Sequence, residues 1–259
     1  MELQLIRNAT IRMSYHGQNL LVDPYFAEPF SLPSYTGRSR NPLTELPLAP
    51  AEILAGVDLV MVSHRHSDHF DAAAQAVLAR DMPLLCQPED EAALRELGFT
   101  AAYPVGPSWE GRGIRIARVP GRHGSGAVLA EMGPASGFFF EAEQEPSVYW
   151  AGDTILCEEV GDILLRRRPQ VVIVHACGAE WGPAEKIVMD EFQTVAVCKM
   201  LPESIVVATH MEALDHATVS RQMLREYARK NQVPDEQLRI PADGELLRLD
   251  LGILPVRKP

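Results

Sequence analysis

Val57-Asp58-Leu59-Val60-Met61-Val62-Ser63-His64-Arg65-His66-Ser67-Asp68-His69 is the stretch on which the reading of this chain turns. Its first half, residues 57–62, is a short apolar run rich in branched residues, the composition of a strand buried on both faces. Its second half places three imidazoles and a carboxylate within six residues. The 259-residue chain holds only eight histidines, so three in one turn is a local concentration. Imidazole and carboxylate together are the donors that suit zinc and its transition-metal neighbours. In a tight turn, positions i and i+2 point one way, while i+4 and i+5 converge on a second point nearby. One loop can then feed two adjacent metal ions.

The other donors are expected at strand ends too, where a rigid scaffold presents loops. His123 stands just past the apolar segment 114–119, Asp153 just past 148–150 and His210 just past 205–208. Any one of them alone reads as a hydrogen-bonded turn residue. With the 64–69 turn they make a set. His175 ends a further strand at 171–174.

Apolar patterning supplies the scaffold. Strands are expected at 3–6, 10–15 and 20–22, with a hairpin turn at His16-Gly17-Gln18-Asn19. Further strands fall at 84–86, 137–141 and 246–249. Helices are expected at 71–80 and 190–200, with Asp71 and Asp190 at their N-terminal ends, and at 88–97, stopped by Gly98. Two more fall at 158–168 and 218–230. Residues 24–50 carry six prolines and read as a long loop, a lid or pocket wall. Strands come first, then strand–helix alternation, twice over. Two sheets packed face to face with helices outside would bury such strands. Residues 1–259 are read as one domain, a length that accommodates a sizeable core.

The formal charge is −11, from 24 basic and 35 acidic residues. A net negative chain repels phosphate backbones and anionic lipid, so neither nucleic acid nor membrane is expected as a partner. Arg166-Arg167-Arg168 falls at a helix end, where cations favour the dipole. Cys86, Cys157, Cys177 and Cys198 form no CxxC pair, so reduced thiols are expected. The first residues show no basic-then-apolar leader, and no apolar run reaches membrane-spanning length. A cytoplasmic location is the expectation. Oligomeric state is left open, a homo-oligomer included.

This pattern resembles the metallo-β-lactamase superfamily. Its HxHxDH signature stands as His64, His66, Asp68 and His69, and the later motifs follow in family order as His123, Asp153 within Ala151-Gly152-Asp153-Thr154, and His210. Arg7-Asn8-Ala9-Thr10, Leu21-Val22-Asp23-Pro24, Arg40-Asn41-Pro42-Leu43, Cys86-Gln87-Pro88-Glu89-Asp90 and His210-Met211-Glu212-Ala213 are similar to bacterial hydrolases near its ascorbate-6-phosphate lactonase-like branch. The resemblance covers nearly the whole chain. It implies an α+β fold, a four-layer αββα sandwich with the metals at one edge. It implies a first metal on His64, His66 and His123, a second on Asp68, His69 and His210, and Asp153 between them. Asp58 looks like the family's structural aspartate. His175 departs from the pattern.

The function implied is hydrolysis of a small-molecule ester, lactone, amide or phosphodiester by hydroxide formed between two divalent ions, zinc first, with manganese or iron also suited to these donors. Asp68 and Asp153 would serve that chemistry directly. His216 is the first candidate for a proton donor and His175 the second. Glu212 and Asp215 are read as solvated carboxylates first and as partners orienting an imidazole second, His16 as a solvated turn residue, and Trp181 as a loop residue able to line a pocket. Two other readings stay open. One is a mononuclear iron redox enzyme of the same fold, which Asp68 and His69 disfavour by supplying a second position. The other is a non-catalytic ligand-binding protein, which the intact donor set disfavours.

Overall fold

Alternation along the strands sorts the apolar residues into separate cores. Leu59 and Met61 enter one buried cluster, while Val60 and Val62 enter another. Phe138 and Phe140 part in the same way from Phe139, and Val171 and Ile173 from Val172 and Val174. A strand with a two-residue side-chain period and apolar residues on both faces must be covered on both sides. The computed structural model describes residues 1–249, so residues 250–259 of the expected domain lie outside the described residues.

The first sheet is built from β1 (Glu2–Arg7), β2 (Thr10–Tyr15), β3 (Gln18–Val22), β4 (Leu59–Val62), β5 (Leu84–Cys86) and β6 (Ala102–Pro104). The second takes β7 (Ser108–Gly111), β8 (Ile114–Pro120), β9 (Ser136–Ala142), β10 (Val148–Trp150) and β11 (Val171–His175). A separate small hairpin, β12 (Glu180–Trp181) and β13 (Glu185–Lys186), follows. β14 (Ile205–Thr209) and β15 (Leu238–Arg239) then complete the second sheet, and β16 (Leu246–Arg248) returns to the first. The orders are β16-β1-β2-β3-β4-β5-β6 and β15-β14-β11-β10-β9-β8-β7, seven strands each.

Between the sheets lies a core that draws Leu3, Leu5, Leu59 and Met61 from one and Phe138, Trp150, Ile173 and Val207 from the other. On the outer face of the first sheet pack Ile53, Ala74 and Leu94, from α1 (Pro50–Leu54), α2 (Ala72–Val77) and α3 (Glu91–Glu96). α4 (Gly126–Met132) lies elsewhere, with Val128 in a small cluster beside Ile187 and Val188. The outer face of the second sheet takes Val160 and Leu164 of α5 (Glu158–Arg167), Val195 and Cys198 of α6 (Glu191–Met200), and Leu224 and Ala228 of α7 (Arg221–Lys230). The result is the four-layer αββα sandwich.

Asp71 and Asp190 cap their helices as expected, accepting from Ala74 N and Gln193 N at 3.0 Å. Other boundaries move. The segment at 88–97 begins as a single 3-10 turn, Pro88–Asp90, before α3. α7 starts at Arg221, not 218, because Ser220 Oγ accepts from Met223 N and provides the cap. α4 was hidden by the glycines at 124 and 126 that open it.

Strand direction explains the position of the site. β1, β3 and β4 run parallel to one another, and so do β8, β10, β11 and β14, reading through their antiparallel neighbours. Just past their C-terminal ends come Asn8, Asp23 and Ser63-His64 on one sheet, and His123, Asp153 and His210 on the other, while His175 closes β11. One edge of the sandwich therefore collects side chains from six connections far apart in sequence.

Candidate metal centre

Two four-donor groups form at this edge, and Asp153 belongs to both. His64, His66, His123 and Asp153 bring one donor atom each within 4.8 Å of one another, and so do His69, Asp153, His175 and His210. Asp153 Oδ2 sits between them, 3.2 Å from His123 Nε2, 3.2 Å from His69 Nε2 and 3.7 Å from His64 Nε2. His64 Nε2 and His66 Nδ1 face each other at 3.0 Å. Asp68 lies beside the second group, with Oδ2 3.2 Å from His210 Nε2 and 3.6 Å from His69 Nε2. All seven expected donors thus meet, and the structure adds His175, whose Nδ1 is 2.5 Å from Asp153 Oδ1.

The outer ring nitrogens explain why the inner ones point inward. His123 Nδ1–H donates to the Ile187 carbonyl at 2.8 Å. His69 Nδ1–H donates to Asp23 Oδ2 at 2.8 Å. Ser63 Oγ donates to Asp23 Oδ2, so it accepts from His64 Nδ1–H at 3.0 Å. Each of these three rings therefore turns Nε2 toward the centre, the second-layer arrangement that orients metal-binding imidazoles. His210 is held more weakly, with Nδ1 3.4 Å from Cys177 Sγ. His210 and Asp23 both adopt left-handed backbone, at φ 63 and 46. That conformation is uncommon outside glycine and concentrates at functional sites.

Burial and charge act unequally on the two groups. Burial, reinforced by His69 and His66, pushes His64 well below the usual histidine range. Burial also lowers His123 against the pull of Asp153, and lowers His175 to about 4. At His69 burial opposes the charge, yet Asp153, Asp68 and Asp23 raise its pKa to about 10. His210 is raised well above the ordinary value, burial again being outweighed, here by Cys177 and Asp153. Asp68 and Asp153 are held far below the carboxylate range, because neighbouring histidines outweigh the burial that opposes ionisation. The protein alone thus draws protons into a space lined with inward-facing nitrogen lone pairs and carboxylate oxygens. A cation satisfies those donors with no proton, and the donor set fits one divalent ion in each group.

Above the donors opens a cavity of about 240 Å³. Tyr35, Met132, Trp181, Ile187 and Val188 wall it, with His216 and Glu131, and no lysine or arginine among the described residues lines it. The 24–50 loop is thus a pocket wall through Tyr35. Tyr35 Oη is 2.8 Å from Ser67 Oγ and 3.5 Å from Asp68 Oδ1, and its ring meets His216 edge-on at 4.8 Å. Trp181 faces Tyr35 at 6.2 Å and donates its indole N–H to Glu131 at 3.0 Å. His216 is buried, lines the cavity and has an unpartnered Nδ1. His175 is not in the lining; it lies fully buried behind Asp153. His16 stays outside both donor groups, with Nδ1 3.3 Å from the Glu143 carbonyl.

Asp58 has a structural contact away from the centre: its Oδ2 accepts from Asn19 N at the far end of β4. Asp23 braces the centre, accepting from Ser63 N at 2.7 Å as well as from Ser63 Oγ and His69. In the sequence it stood within Leu21-Val22-Asp23-Pro24, with no role at the centre attached to it. One sequence expectation needs correction. Asp215 is not solvated. Its carboxylate binds Ser34 Oγ, Thr36 Oγ1, Tyr35 N and Asn41 Nδ2, pinning the proline-rich loop to the segment after His210. Glu212 pairs with Arg221 at 2.6 Å. Tyr35 and Asn8, which donates to the Asp68 carbonyl at 3.0 Å, were also missed. Neither carries an imidazole or a carboxylate, so residue type alone gives no sign of either.

Comparison with known proteins fits this centre. Residues 18–211 match the family model described as the beta-lactamase superfamily domain. The chain belongs to that superfamily. Within it, the chain is 31% identical to UPF0173 protein YddR of Bacillus subtilis (strain 168), over 95% of this chain and 98% of that one. The crystal structure of an isothiocyanate hydrolase from Delia radicum gut bacteria superposes with a TM-score of 0.90 at 33% identity, covering 97% of this chain and 100% of that chain. A "possible metal-dependent hydrolase" from Veillonella parvula DSM 2008 superposes with a TM-score of 0.92 at 31% identity, covering 96% and 99%. The superfamily's metal-dependent hydrolases are therefore the relatives of this chain. No helix among the described residues is long and apolar enough to cross a membrane.

Proposed function

We propose that this chain hydrolyses a small uncharged substrate at an electron-poor carbon, with divalent ions held by His64, His66, His123 and Asp153 on one side and by His69, His210, Asp68 and Asp153 on the other. The observation that carries the reading is the pair of donor groups sharing one carboxylate beneath a cavity that no lysine or arginine among the described residues lines. Bound there, such ions lower the pKa of water and polarise the atom under attack. Zinc is the first candidate, manganese and iron suiting the same donors.

The lining supports the substrate class. A phosphodiester or phosphorylated lactone carries charge that Arg or Lys usually meets, and beyond the donors this cavity offers a carboxylate, Glu131, in place of either among the described residues. Its apolar wall suits a short hydrocarbon group, and its volume of about 240 Å³ limits the substrate to a small molecule. An isothiocyanate has an uncharged, electron-poor central carbon, and one neighbour is named for hydrolysing that group. Isothiocyanates are therefore the first substrates to test, with neutral esters and lactones beside them.

As water's oxygen bonds to that carbon, a C=N or C=O electron pair moves to the heteroatom, which needs a proton. Tyr35 Oη, in the lining beside Asp68, is the first candidate to supply it. Burial, with Asp68 beside it, raises the Tyr35 pKa well above the ordinary phenol range, so the hydroxyl stays protonated. His216, lowered to about 4 by burial, is neutral near pH 7 and offers a ring N–H and a lone pair beside Tyr35. It serves better as a relay than as a cationic acid.

The test is elemental analysis of the purified chain, followed by turnover of an alkyl isothiocyanate, a neutral ester, a neutral lactone and a phosphodiester. Chelator-sensitive hydrolysis that favours the uncharged substrates is expected, with loss in His66→Ala. Full activity and a full metal complement in His66→Ala would remove the proposal.

A further inference from the structure

We infer that His175 is a positioning residue: its Nδ1–H holds Oδ1 of Asp153, so that Oδ2 remains as the oxygen common to both donor groups. The inference rests on the metal reading above and adds a role for a histidine that lies outside the HxHxDH pattern.

The two oxygens of Asp153 are used differently. Oδ2 faces Nε2 of His123, His69 and His64 at 3.2, 3.2 and 3.7 Å. Oδ1 meets His175 Nδ1 at 2.5 Å and is 3.9 Å from His210 Nε2. A carboxylate that can rotate presents either oxygen to either side. One held at Oδ1 presents Oδ2 alone. The His175 ring is well fixed for this task. It closes β11, with Trp150 edge-on at 5.2 Å and the ring of His210 tilted against it at 4.8 Å. Its side chain is fully buried.

A ring nitrogen of His175 also lies within 4.8 Å of donor atoms of His69, Asp153 and His210, close enough for a direct ligand of the second group. The far side of its ring decides between the two roles. Nε2 is buried and has no hydrogen-bond partner. Were Nδ1 to bind a metal, the ring proton would move to Nε2 and stand there as an unpaired buried donor, a costly state. With the proton on Nδ1, the one donor meets the one carboxylate oxygen in reach, and Nε2 is left as a bare acceptor. A neighbour that holds a ligating carboxylate is the kind of outer group on which metal affinity depends.

The experiment titrates the metal-free full chain with zinc(II) against a chromophoric chelator, for the wild type, His175→Ala and His175→Asn. The amide nitrogen of Asn reaches the place of His Nδ1 and keeps an N–H for Oδ1. His175→Ala is expected to weaken zinc about 10- to 100-fold, and His175→Asn to recover to within about threefold of the wild type. Wild-type affinity in His175→Ala overturns this inference alone. Failure of His175→Asn to recover overturns it in favour of direct ligation. A wild-type chain that takes up no zinc sinks the metal reading and this inference with it. A readout independent of the variants' folding is ¹⁵N NMR of the histidine rings in the zinc-loaded wild type. It should show His175 protonated at Nδ1 with bare Nε2. A proton on Nε2 with a zinc-shifted Nδ1 contradicts the assignment.

Discussion

Replacing Asp23 by asparagine should damage the metal centre without touching a ligand. Asp23 is fully buried, and its carboxylate serves three donors: Ser63 N–H on Oδ1 at 2.7 Å, and Ser63 O–H and His69 Nδ1–H on Oδ2 at 2.7 and 2.8 Å. An amide has one acceptor oxygen and one donor nitrogen. The backbone N–H of Ser63 cannot rotate away, so the amide oxygen must face it. The NH2 group then takes the place of Oδ2. The Ser63 hydroxyl can turn to accept, but His69 Nδ1 can accept only by giving up its proton. The neutral ring that metal binding requires then carries its proton on Nε2, the atom that faces Asp153 and the second donor group. Zinc affinity at that group should fall by about 100-fold, the upper end for loss of an outer partner, or about 2.8 kcal/mol. The fold should survive with a loss of about 1–3 kcal/mol, the scale of one charge-assisted hydrogen bond, readable as a small drop in the Tm of the metal-free chain. Competition titration with zinc measures the affinity. Wild-type zinc binding in Asp23→Asn would refute the tautomer argument.

Three further outcomes follow from the same geometry. Zinc uptake should release protons, because Asp153, Asp68 and Asp23 raise His69 to about 10 against the burial that opposes it, and His210 is also raised. Both rings are then charged near neutral pH in the metal-free chain, so zinc affinity climbs with pH until about 10. In that metal-free chain the raised His69 pKa stabilises the fold fully below the ordinary histidine range, and this contribution is lost as pH rises through about 10. Calorimetry in buffers of different ionisation enthalpy counts the protons, and a count of zero at pH 7.5 contradicts the charge assignment. Asp215→Ala should free the 34–41 segment and with it Tyr35, lowering kcat/KM about tenfold, the scale of one lost hydrogen bond to a charged group, with zinc content unchanged. Ser34, Thr36, Tyr35 and Asn41 hold the Asp215 pKa below its usual value although burial opposes them. Its contribution is therefore present above pH about 4 and fades as pH falls through the lower folded value; wild-type kcat/KM in the alanine variant would show that the pin is not needed. Trp181→Ala should widen the cavity toward bulkier substrates, seen as a lower KM for an arylalkyl substrate relative to a short alkyl one, and an unchanged ratio would exclude Trp181 as a size filter.

The donor set was legible because imidazole and carboxylate chemistry is written in residue type, and the strand-end placement of His123, Asp153 and His210 follows from apolar runs that precede them. The layered fold was legible for a related reason: strands apolar on both faces need two coverings. What escaped is what depends on conformation more than on type. Asp23 and Asp58 are both aspartates beside strands of the first sheet, but only Asp23 stands at the C-terminal end where the site forms. Asp215 carries no local sign that Ser34 and Asn41, more than 170 positions earlier, will meet it. Tyr35 sits in a proline-rich loop without periodicity, so nothing predicts which side chain turns inward. The short strands β12, β13 and β15, two residues each, fall below the length at which alternation can be read.

The same physics that makes the donors legible makes them costly to gather. The centre packs six imidazoles and two carboxylates, with Asp23 a third carboxylate behind them, into one edge of the sandwich, most of them nearly or fully buried. Neutral rings facing one another share too few protons to pair every nitrogen, and charged rings repel. The protein's own resolution is uneven, with charge drawn onto His69 and His210 while His64, His123 and His175 are kept neutral. Such an arrangement gains nothing for stability that an apolar edge would not supply better. Its outer contacts to Asp23, Ser63 and the Ile187 carbonyl hold the rings of His69, His64 and His123 with Nε2 turned inward, the orientation a cation requires. The preorganisation is therefore directed at an ion. It follows that the metal-free chain should be the less stable form, and that the stabilisation gained on adding zinc should shrink as pH falls and protons compete for the same nitrogens.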